Sequence, residues 1–118
     1  VATDVNTVTT PPAAPNTYTV NAVSLTGTYT VGAAGAYPTL TAAVNAYNSA
    51  CLSGAVVFSL IDANYPSETF PITINANPFA SSVNTLTIKA AAAGSTISGT
   101  SATALIVLNG ADWVTIDG

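Results

Sequence analysis

The sequence predicts a mainly-β fold in which parallel strands stack as a solenoid, with one amphipathic helix near the start. Three observations carry that expectation. Short β-type runs separated by Asn, Gly, Ser and Pro turns fill the chain from about residue 55 onward. Comparable runs begin at Val56, Leu86 and Val114, at intervals of 30 and 28 residues, and each interval holds two or three short strands, as one coil of a solenoid does. Asn-Gly or Asp-Gly turns between neighbouring runs, the mark of tight antiparallel hairpins, are missing except at Asn109-Gly110. A β-sandwich is the alternative architecture.

Residues 1–24 read as an extended arm or linker, rich in Thr and Asn and broken by Pro11-Pro12 and Pro15. Within it Thr17-Tyr18-Thr19-Val20 recurs as Thr28-Tyr29-Thr30-Val31, and both tetrapeptides alternate like a half-buried strand. The plain reading is Thr-rich β-propensity. The sharper one is that the arm, from Val5-Asn6-Thr7-Val8-Thr9 onward, adds a strand to a sheet edge of this or a neighbouring subunit.

The folded unit is expected over 25–118. After the turn Gly32-Ala33-Ala34-Gly35, a helix is predicted over about 38–52, with Pro38 in its first turn, Thr39 as its cap and Gly54 as its stop. Leu40, Ala43, Val44, Tyr47 and Cys51 form one apolar stripe, while Thr41, Asn45, Asn48 and Ser49 fall on the other side. Such a helix is barely stable alone and must dock on apolar surface. Strands follow at 55–60, 72–74, 86–90, 96–98, 105–108 and 113–116.

Composition narrows the partners. Only 5% of the 118 residues are charged and 49% are hydrophobic, so the surface must be polar but uncharged. Lys89 is the single basic residue, there is no His, and the formal net charge is −4. Nucleic acid and anionic membranes both demand several cations in a patch and are excluded as partners. No apolar run is long enough to span a bilayer. A single cysteine forms no internal disulfide, and Cys51 on the helix stripe is most simply a small buried apolar group. The absence of Met and the strand-like ending at Ile116-Asp117-Gly118 lead us to expect a piece of a longer exported chain whose leader has been removed.

Three stretches, Gly27-Thr28-Tyr29-Thr30-Val31-Gly32, Tyr37-Pro38-Thr39-Leu40-Thr41-Ala42-Ala43-Val44-Asn45-Ala46 and Ser53-Gly54-Ala55-Val56-Val57-Phe58, resemble the opening of pectin-lyase-like right-handed parallel β-helix modules. The likeness is greatest to modules of large secreted and surface proteins of the Bacteroidota. Ala63-Asn64-Tyr65-Pro66-Ser67-Glu68 sits where that family has a Gly-x-Tyr-x-Glu turn, with Asn64 in place of the Gly, and Trp113-Val114-Thr115-Ile116-Asp117-Gly118 is similar to its coil-opening strand. The resemblance spans about 92 residues, 27 to 118. It implies that the helix caps the apolar end of the solenoid, that the coils continue beyond Gly118, and that the protein is exported to the surface, by type IX secretion.

The chemistry-bearing residues point away from catalysis. Polysaccharide β-elimination needs a base beside a charge-stabilising cation, and Lys89 alone is poor equipment. Hydrolysis needs two carboxylates about 5–10 Å apart. Asp112 and Asp117 are separated by an odd number of residues and would face opposite sides of one strand, with Asp117 outward beside Trp113 and Thr115, and Val114 and Ile116 inward. Asp62 and Glu68 flank the Asn64-Tyr65-Pro66 turn, where carboxylates usually cap or solvate a loop. No Asp-x-Asp-x-Asp spacing suggests calcium, and no metal or other cofactor is expected. Trp113 is a weak candidate for stacking on a sugar, against the plainer expectation that it packs over a coil junction. The reading is an extracellular structural or adhesive module, such as a stalk, adhesin or filament subunit, with no catalytic activity of its own. Its partners would be other subunits or later coils of the same chain, meeting it through the solenoid ends and the arm, with surface glycans as a further possibility. The alternatives are the N-terminal portion of a β-helix polysaccharide-degrading enzyme and a glycan-binding module.

Overall fold

The computed structural model describes residues 24–117, so the expectations for residues 1–23 and for Gly118 lie outside the described residues. The chain runs β1 (Ser24–Val31), α1 (Leu40–Ser49), β2 (Cys51–Leu60), β3 (Ile72–Asn75), β4 (Leu86–Ala90), β5 (Ile106–Asn109) and β6 (Val114–Asp117). Strands β1, β2, β4 and β6 form one sheet in that order, and β3 and β5 form a second. Every strand ladder is parallel. The antiparallel strand pairing of a β-sandwich is therefore not what these residues adopt.

The registers explain the sequence spacing. Val56 pairs with Leu86 and Leu86 with Val114, so the three runs singled out by their intervals lie side by side at one level of the sheet. Gly27 stands opposite Val56 at the same level, and Ile72 opposite Ile106 in the second sheet. Parallel neighbours need a long crossover, and here every return takes a comparable length of chain. Side-chain alternation then assigns the faces. Val56, Phe58 and Leu60, Leu86 and Ile88, and Ile72 and Ile74 all point inward and are buried, while Thr and Ser between them face out.

Helix α1 forms where its capping groups dictate. Thr39 is extended at φ −139° and its Oγ1 accepts from the Ala42 amide, which makes it the N-cap and leaves Pro38 one residue outside rather than in the first turn. Thr39→Ala is expected to cost about 1 kcal/mol in urea unfolding. A loss indistinguishable from zero would show that the cap contributes nothing to the folded state.

The helix ends at Ser49, short of the expected 52, and Gly54 does not stop it. The reason is a side chain from a distant loop: the buried Asn77 amide donates to the carbonyls of both Tyr47 and Ala50, satisfying helix-terminal acceptors that a C-terminal glycine motif would otherwise serve. Cys51 consequently begins β2, paired with Ser24 of β1, and is half-buried, not on the helix stripe, whereas Leu40, Ala43, Val44 and Tyr47 are buried as the periodicity requires. Gly54 lies inside β2, at a register shift beside Thr26, where an added Cβ would collide with the Thr26 Oγ1.

The two ends of the stack differ. On the helix side, Asn48 of α1 donates from Nδ2 to the Thr73 carbonyl and accepts at Oδ1 from the Asn75 amide, covering the β3 edge that faces away from β5. Tyr37 similarly engages the outer edge of β1, donating to the Thr30 carbonyl and accepting from the Gly32 amide. On the opposite side, β5 and β6 have no further strand partner among the described residues.

Candidate functional site

Two concave regions hold the candidate residues. The first, about 380 Å³, lies at the Asp62–Glu68 turn. One Asp62 carboxylate oxygen accepts from the Ala33 amide at 2.8 Å. Glu68 accepts from the Leu40 and Thr41 amides, each at 2.7 Å, and from the Thr41 hydroxyl at 2.6 Å. Its charge therefore sits on the positive end of α1. Between the two carboxylates the buried Tyr65 donates its hydroxyl to the Val31 carbonyl at 2.7 Å and accepts from the Asp62 amide at 3.0 Å. The turn thus fastens the end of β1, the end of β2 and the start of α1 together. Both acidic side chains are held by backbone donors, which is a capping arrangement.

Desolvation raises the ionisation of Tyr47 and Tyr65 above the usual 10.0 of a tyrosine, with the neighbouring Asp62 and Glu68 charges adding to it at Tyr65. Burial, then Tyr29, raises Tyr37 as well. A raised folded-state value means that the neutral phenols favour the fold. Their contribution is complete below pH 10, the unfolded value, and is lost as pH climbs through it toward the folded values. Thermal unfolding is expected to show a melting temperature that tyrosine ionisation leaves unchanged up to about pH 9 and that drops above pH 10, with Tyr47→Phe weakening the drop. An equal drop in that variant would remove Tyr47 from the cause.

The second region is an open cavity of about 540 Å³ lined by Leu60, Ile88, Ile97, Ile106 and Ile116, with Lys89 and Asp117 at its rim. Lys89 and Asp117 are register neighbours on β4 and β6, so the only basic residue has an acidic neighbour beside it. Trp113 immediately precedes β6 with its backbone at φ +61°, a region unusual for a bulky side chain, and 52% of its surface is exposed. Asp112 is exposed in the preceding turn rather than on the strand, so the alternation argument does not apply to its pairing with Asp117.

Outside these two regions, the residues that tie the helix and loops to the strands, and that the sequence did not announce, are Asn48, Asn77 and Asn84. Asn84 donates to the Leu52 and Phe79 carbonyls and so holds the loop before β4. Isolated asparagines carry no periodic signature, and only their distant backbone partners reveal their role. Among the described residues no three of His, Cys, Asp and Glu cluster as metal ligands would, and no helix is long and apolar enough to cross a membrane. Compared with known proteins, the chain matches no family model, no curated protein and no solved structure.

Proposed function

We propose that this chain is a non-catalytic structural or adhesive module of an extracellular protein, forming the helix-capped start of a right-handed parallel β-solenoid whose opposite end receives a further layer of strands. One observation carries the reading. Ile106, Leu108, Val114 and Ile116 are the register partners of Ile72, Ile74, Leu86 and Ile88, which are all buried, yet Leu108 and Ile116 remain 51% and 49% exposed. The layer of β5 and β6 presents core side chains together with strand edges that have no partner among the described residues, and such an edge is a template for another strand. Handedness follows from the parallel β1–α1–β2 crossover, since such connections are right-handed in nearly all sheets. The capping roles of Asp62 and Glu68 and the sparsely charged surface support a scaffold over an enzyme, and the resemblance to surface β-helix modules points the same way.

Light scattering on the 118-residue chain tests it. Association that rises with concentration is expected, and Leu108→Lys with Ile116→Lys should abolish it while the melting temperature stays within a few degrees. A protein that stays monomeric at every accessible concentration would overturn the reading. Release of reducing or unsaturated ends from polysaccharides would do so equally, by showing an enzyme.

A further inference from the structure

We draw no further inference here: the strongest candidate, the uncharged loop between β3 and β4 on which hydrogen bonds to Asn77, Ser81 and Asn84 hold Phe79 and Val83 at the surface, carries nothing because nothing in the structure shows what covers those two side chains.

Discussion

Phe58→Ala is expected to lower the stability of the fold by about 3–5 kcal/mol, a large share of the roughly 5–15 kcal/mol that holds an ordinary domain together. Phe58 is fully buried in the middle of β2, with Tyr29 on one register neighbour and Ile88 on the other. Its ring also meets Tyr37 edge-on, with centroids 5.8 Å apart and planes at 75°, an arrangement that contributes beyond area burial. Truncation would empty the one position that joins the inward faces of β1, β2 and β4 to the segment leading into α1. Relaxation around the hole is limited, because parallel ladders fix the backbone on both sides. The matching control is Val83→Ala, at a side chain 72% exposed, which is expected to change stability by less than about 0.5 kcal/mol. Urea unfolding followed by circular dichroism measures both. A loss below about 1 kcal/mol at Phe58 would show that this position is not the centre of the core.

The contrast between what the sequence revealed and what it concealed has a physical origin. Periodic features were legible: the intervals between Val56, Leu86 and Val114 became a shared register, and the stripe from Leu40 to Tyr47 became the buried face of α1. Burial repeats along a chain because geometry repeats, so its trace survives in one dimension. Hydrogen-bond partners separated by about thirty residues leave no such trace. Asn77 ends the helix from a loop and displaces Gly54 from that role, which moves Cys51 from the helix stripe into a strand. Asn48, placed on the solvent side of the helix by periodicity alone, instead serves the edge of β3. The carboxylates were legible as loop caps, but which donors they would take was not.

Glu68→Ala is expected to cost about 2–4 kcal/mol, more than any other change at the surface of this protein, because it removes an ionised acceptor from two backbone donors and a hydroxyl at once. The first four amides of a helix have no partner within it. Here Thr39 accepts from Ala42 and, through its carbonyl, from Ala43, while Leu40 and Thr41 depend on Glu68 alone. The contact is only partly buried, so water recovers some of the loss, which places the figure below the sum for fully desolvated charged bonds. Glu68→Gln retains one carbonyl oxygen for the same donors and should lose roughly half as much. The pair of variants distinguishes structure from catalysis. If Glu68 served a reaction, both would abolish activity while leaving the fold intact. If it holds the helix, stability should fall in the order wild type, Gln, Ala, and the hydrogen-exchange protection of the first turn of α1 should fall with it. Equal stability for all three proteins would mean that water replaces the carboxylate without penalty, and the Asp62–Glu68 turn would then have to be reconsidered as a binding site rather than a clasp.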